Sequence, residues 1–179
     1  DVAQRLIKEL ASSSFVPVDF ELKIGSDGEI PPYELDFDSG KISISGAVDR
    51  VDTAEINGRK YIRIVDYKTG TKTFSPDDIE KGLNLQMLLY LFAIWNTKKN
   101  DFKEKIKCEG EVLPAGILYF AAKAPDFTIE NDGDIENAYT IAESSIGRVG
   151  MLVNDIDILK AMDKNLEQKY IPVKLYKNG

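Results

Sequence analysis

The stretch "GAVDRVDTAEINGRKYIRIVDYK", Gly46 to Lys68, decides how this chain folds. Asn57-Gly58 lies between two β-type runs, one from about Lys41 to Asp52 and one from about Lys60 to Tyr67. Asn-Gly in that setting is the strongest short-range signal for a two-residue hairpin turn, because both residues accept the positive φ the turn needs. A turn of that length sets the pairing: Val51 faces Ile64, Asp52 faces Arg63, and Asp49 faces Asp66. Side chains alternate along a strand, so Asp49, Asp66 and Lys68 are expected on one face. Asp52 and Arg63 are expected on the other, where opposite charges can pair. A bulge or a longer turn would slip this register and turn Asp49 away.

Two carboxylates directly opposite each other, with Cβ atoms roughly 5 Å apart, repel unless a cation sits between them. Mg²⁺ or Mn²⁺ suits that place, being hard, oxygen-seeking, and held by one or two carboxylates while keeping waters and a substrate phosphate. The ammonium of Lys68 can stabilise negative charge developing on phosphorus or orient the attacking water. Hydrolysis of a phosphodiester needs these parts. The bland alternative is that both aspartates are solvated charges at strand ends and Lys68 pairs with one of them. For a bare Asp-x-Lys that alternative is the default; the turn-fixed register and the upstream aspartate favour the site.

Further out, Val2, Leu6, Ile7 and Leu10 recur at helical spacing, and Ser12-Ser13-Ser14 ends that helix. Val16, Val18, Phe20, Leu22 and Ile24 alternate with Asp19, Glu21 and Lys23, which predicts a half-buried strand. "GSDGEIPP", Gly25 to Pro32, is loop chemistry. Ser75 and Pro76 look like the cap and first position of a helix. After Gly82, Leu83 to Trp95 is apolar on nearly every side and predicts a buried helix. Gln86 and Tyr90 are four apart on that helix and share a face. A buried Gln needs partners, supplied either by an acidic site or a DNA backbone, or by ordinary bonds inside the core. Lys98 to Lys107 is a lysine-rich stretch, expected as a solvated connector rather than a DNA contact. "GILYFA", Gly116 to Ala121, predicts a short apolar strand, Asp155 to Gln168 a helix, and "YIPVKLY" a closing strand.

At 179 residues the chain fits one domain, residues 1–179, large enough to bury a core. Its 43% hydrophobic and 30% charged content are those of a soluble globular protein, and its longest apolar run is too short for a membrane span. A single cysteine, Cys108, excludes an internal disulfide and points to a reducing, cytoplasmic setting. The net charge of −7 argues against non-specific DNA coating, but a metal-collecting site is itself acidic, so the charge does not exclude a nuclease. Starting at Asp1 and ending abruptly in "KNG", the chain is expected to be a piece of a longer protein.

Two other signals fail on inspection. "TGTKT", Thr69 to Thr73, lacks the order of a phosphate-binding loop. "ENDGD", Glu130 to Asp134, places the wrong residues at the ends of a calcium loop.

"GAVDRVD", "YIRIVDYKTG" and "LNLQMLLYL", in that order, resemble the PD-(D/E)xK nucleases of the RecB type. The likeness is strongest to the C-terminal nuclease domains of AddB-type subunits of bacterial ATP-dependent helicase–nucleases, and it covers roughly Phe15 to Tyr119. The resemblance implies an α/β, restriction-endonuclease-like core, with a mixed central sheet flanked by helices. It implies Asp49 and Asp66 as metal-binding aspartates, the Tyr67 carbonyl as a further ligand, and Lys68 as the catalytic lysine. Gln86 and Tyr90 would match a Q-x-x-x-Y motif lining the DNA channel and supporting the site. The expected activity is Mg²⁺- or Mn²⁺-dependent exonucleolytic hydrolysis of DNA during processing of double-strand breaks for recombinational repair, beside a helicase subunit. Two features depart from the pattern. No His is present to act as the further ligand that RecB-type enzymes usually carry, and Glu21 replaces it only if its strand reaches the site. Cys108 alone cannot hold the iron–sulfur cluster of AddB-type proteins, so such a cluster belongs to the full-length parent and not to this fragment. The rivals are a catalytically inactive DNA-binding or scaffolding domain of the same fold, and a stand-alone RecB-like exonuclease.

Overall fold

The computed structural model describes residues 2–70, 76–81, 85–123, 135–166 and 170–173. Helix α1 (Val2–Ser12) leads into β1 (Val16–Ile24). A small ribbon of β2 (Tyr33–Phe37) and β3 (Gly40–Ile44) follows, and then the long hairpin of β4 (Gly46–Ile56) and β5 (Arg59–Lys68). After α2 (Pro76–Glu80), α3 (Gln86–Trp95) and α4 (Asn100–Lys105) come β6 (Val112–Ala121), α5 (Ile135–Ser145), β7 (Val149–Leu152) and α6 (Ile156–Met162). The main sheet has five strands in the order β1-β4-β5-β6-β7. Only the β5–β6 pair is parallel, so the sheet is mixed. A parallel neighbour needs a crossover, and α2 to α4 provide it.

The hairpin turn sets everything near it. Asn57 and Gly58 both take positive φ, 52° and 73°, as a type I′ turn requires. The ladder runs from Ile56/Arg59 through Asp52/Arg63 and Val51/Ile64 to Arg50/Val65, the predicted register. Helices cover both faces. On one side Met87, Tyr90, Leu91 and Ile94 of α3 and Phe102 of α4 pack on Val51, Ile62, Ile64, Ile117 and Tyr119. On the other, Val2 and Leu6 of α1 lie against Val65, Leu118 and Phe120, while Ile158, Leu159 and Met162 of α6 meet Phe15, Ala54 and Ala115.

Several expectations need correction. The run expected as one strand from Lys41 breaks at Ser45 into β3 and β4, and β2, β7 and α5 carry no strong sequence signal. The lysine-rich stretch is not a plain connector. It forms α4, because Phe102 and Ile106 fill the core, and Lys105 lies 2.5 Å from Asp19 and 2.9 Å from Glu29. Burial works against the charge on Lys105, but the hydrogen bonds to Asp19 and Glu29 outweigh it and raise its pKa. Ile7 is 65% exposed, whereas Arg5 and Glu9 of the same helix face inward. The alternation of β1 fails as well: Phe20 is 60% exposed and Asp19 is buried. A register shift at Pro17/Asp19 and a left-handed Glu21 (φ 55°) rotate the strand between its two halves. Helix α6 starts after Asp155, whose carboxylate accepts from the N–H groups of Asp157 and Ile158, and ends at Met162. Residues 170–173 are not strand. Ser75, Gly82 and Leu83, "ENDGD", Thr71 to Thr73, and the ends of the predicted final helix and strand lie outside the described residues.

Candidate metal and catalytic site

The site is built where the β4–β5 ladder stops. Arg50/Val65 is its last cross-strand pair, so one further step sets Asp49 level with Asp66. There a side chain takes over from the backbone: Asp49 Oδ2 accepts the N–H of Tyr67 at 2.7 Å. One residue earlier Asp66 carries a carboxylate, and one residue later Lys68 brings its Nζ to 2.6 Å from Asp66 Oδ2. The Lys68 side chain is 43% exposed and that of Asp66 16%, so the pair reaches from the core to solvent.

Backbone direction adds a further group. Ala122 on the β6 side donates to the Lys68 carbonyl at 2.8 Å. Successive carbonyls in a strand point to opposite edges, so the Tyr67 carbonyl faces β4, on the edge where its N–H meets Asp49. Asp66 shares its face of the sheet with Ile64 and Tyr119. Burial, and behind it the Asp66 charge, disfavours the Tyr119 phenolate and raises that phenol above its ordinary value.

Strict alternation does not hold across Asp49. Val48 and Val51 both reach the core under α3, while Arg50 between them turns to the α1 side. The cause lies in the neighbouring strand. Phe20 pairs with Arg50 and Leu22 with Val48, so the left-handed Glu21 falls level with Asp49. Strand β1 therefore does carry Glu21 to the site, with its side chain exposed. Among the described residues no group of three or more His, Cys, Asp or Glu side chains is gathered to hold a metal ion. Asp49, Asp66 and Glu21 therefore do not close into one three-carboxylate cage.

The donor set that remains suits a hard divalent cation with an open coordination sphere: two part-buried carboxylates, and a buried Asp66 Oδ2 that makes no well-formed hydrogen bond. Gln86 and Tyr90 do something more specific than line a channel. Gln86 Nε2 donates to Tyr90 Oη at 2.9 Å, and that hydroxyl reaches the Ser45 carbonyl at 3.4 Å. A side chain at Gly46 would overlap the Tyr90 hydroxyl. The Gln–Tyr pair thus clamps α3 to the first residue of β4, at the root of the strand that carries Asp49.

On the opposite face lies a charged cluster that sequence reading anticipated only in part. Asp52 and Arg63 pair at 2.9 Å, as the register requires. To them are added Arg50, 2.8 Å from Asp52, together with Glu9 and Arg148, which meet at 2.7 Å. Arg50, Asp52 and Arg63 have no exposed side-chain surface. Burial opposes the charge on Arg50, but Asp52, Tyr67 and Glu9 outweigh it and raise its pKa. The one available signal was that Arg5 and Glu9 share a helical face with Val2 and Leu6.

Comparison with known proteins fits this geometry. The signature of the PD-(D/E)XK nuclease superfamily matches residues 1–170. The chain is 39% identical over 180 aligned positions to the B subunit of the ATP-dependent helicase/deoxyribonuclease of Clostridium kluyveri, covering 97% of this chain and 15% of that protein. It is 37% identical to the same protein of Clostridioides difficile (96% and 15% covered) and 35% identical to that of Acetivibrio thermocellus (97% and 15%). The chain therefore spans about 15% of the length of the curated relatives it matches. No helix among the described residues is long and apolar enough to cross a membrane. With a mixed sheet flanked by helices, and an Asp-x-Lys at the end of its central strand, this chain belongs to the PD-(D/E)XK nuclease superfamily.

Proposed function

We propose that this domain hydrolyses DNA phosphodiesters with the help of Mg²⁺ or Mn²⁺, working exonucleolytically on broken ends within a larger helicase–nuclease. The observation that carries the reading is the junction at Tyr67, where Asp49 meets the main chain between Asp66 and Lys68. Asp49, Asp66 and the Tyr67 carbonyl are the groups that would hold the ion. When bound, the ion supplies Lewis acidity, polarising a phosphoryl oxygen and acidifying the attacking water.

The chain's own residues have distinct tasks in this scheme. Lys68, half in solvent, meets the charge that grows on the phosphoryl oxygens and orients the water. Asp66 holds that ammonium in place. Gln86 and Tyr90 keep β4 seated under α3, so that Asp49 stays at the end of β5. DNA as substrate and a helicase subunit as partner follow from the names of the relatives. A cytoplasmic setting is part of the same reading.

The test is digestion of linear single-stranded DNA in Mg²⁺ or Mn²⁺, comparing the wild type with Asp66→Ala. We expect a loss of at least about a hundredfold, because removing a metal-holding or charge-stabilising group costs rates of that order. An unchanged rate would sink the assignment. A second reading, a DNA-binding scaffold without chemistry, draws on the lack of a third clustered ligand side chain among the described residues. Calorimetric titration with Mn²⁺ separates the two, since a scaffold has no reason to bind the ion at Asp49 and Asp66.

A further inference from the structure

Tyr67 is held from two sides of the sheet. Its main-chain N–H donates to Asp49 at 2.7 Å, and its hydroxyl accepts from Arg50 Nη1 at 2.9 Å on the α1 side. Arg50 is itself fixed. Its Nε lies 2.8 Å from Asp52, and its Nη2 lies 2.9 Å from Asp52 and 3.4 Å from Glu9. The Tyr67 ring packs edge-on against Phe120 at 5.4 Å and lies 5.7 Å from the Arg50 guanidinium.

The register of the site therefore does not rest on the β4–β5 ladder, which has already ended. It rests on this bridge, whose two ends, Arg50 and Asp49, are neighbours in β4. We propose that Arg50, acting through the Tyr67 hydroxyl, is a positioning residue: it sets the end of β5 so that Asp66, the Tyr67 carbonyl and Lys68 face Asp49. This inference rests on the nuclease reading above and extends it to two groups on the opposite face of the sheet that never touch the substrate.

The rigidity has a physical source. A guanidinium with no exposed surface cannot relax without leaving carboxylates unpaired in the interior, so Arg50 transmits its position rather than absorbing a displacement. Outer groups that orient ligands of a metal site are worth about ten- to a hundredfold in affinity or activity.

The test uses Tyr67→Phe, which removes one oxygen and keeps the ring, with Arg63→Lys as control. Arg63 belongs to the same cluster through Asp52 and Glu9 but is not bonded to Tyr67. Two readouts are taken. Hydrogen exchange at the residue-67 amide reports the bond to Asp49, and Mn²⁺ titration reports the site. We expect Tyr67→Phe to keep the wild-type Tm within a few degrees, to speed amide exchange, and to weaken Mn²⁺ binding about tenfold. Arg63→Lys is expected to lower Tm and leave the Mn²⁺ affinity unchanged. Wild-type amide exchange in Tyr67→Phe overturns the proposal whatever the metal does. If exchange is faster but the wild type itself binds no Mn²⁺, the bridge stands and the nuclease reading falls.

Discussion

Tyr119 carries a charge-sensitive reporter of the candidate site. Its phenol stands beside Asp66 in the β5–β6 pair, and burial together with that carboxylate raises it above the usual 10.0. The unfolded chain releases this proton near ~10, so above that pH the folded protein binds more protons than the unfolded one. Its contribution to stability is thus complete below 10 and is lost as pH rises through the folded value. Asp66→Asn removes one of the two causes and should bring the titration back toward 10, read from the tyrosine Cζ resonance by NMR. An unmoved titration would mean that the Asp66 charge is not felt at Tyr119. Asp66 is also where the sequence was most legible. Turn chemistry is local, and the Asn57-Gly58 turn alone placed Asp52 against Arg63 and brought Asp49 to the level of Asp66. What it did not convey was how Asp49 is used, because a carboxylate replacing a ladder hydrogen bond leaves no mark in the residue pattern.

Among the elements, α3 behaves as a clasp rather than a passive lid. Its apolar surface follows from the composition of "QMLLYLFAIW", and the predicted burial of Met87, Leu91 and Ile94 is observed. The polar end matters more. Tyr90 Oη meets the β4 start so closely that position 46 has room only for glycine. Gly46→Ala should destabilise the fold by about 1–3 kcal/mol, the usual penalty for forcing extra volume into a packed contact, measured by urea unfolding. The double variant Gly46→Ala/Tyr90→Phe should recover part of that loss, because the hydroxyl is the nearest atom to the added methyl. Strictly additive losses would show that the contact is not the source. Strand β1 makes the opposite point. Perfect apolar alternation from Val16 to Ile24 predicted one buried face, yet one shift and one left-handed residue split the strand between both faces. Period-two patterns assume an unbroken twist, and a single positive φ undoes them.

Taken whole, the molecule is tied through its interior by charge. Glu9 of α1, Arg50 and Asp52 of β4, Arg63 of β5 and Arg148 ahead of β7 form one buried network across four segments of the chain. Asp52 is its hinge, engaging both Arg50 and Arg63. Asp52→Ala should cost about 3–5 kcal/mol, the range for removing one partner of a buried pair, again by urea unfolding. A loss under about 1 kcal/mol would mean that water or Glu9 makes good the missing charge. Such a network is what binds the α1 layer to the strands holding the candidate site.

The hairpin, its register, the apolar helix and the mixed α/β class could all be read from residues alone, because each depends on neighbours close in sequence or on a simple period. The inward turn of Arg5, Glu9, Arg50 and Arg148, and the seating of Tyr67 between Arg50 and Asp49, could not. A charge tolerates burial only when distant segments deliver its partners, and that delivery exists only once the chain has folded.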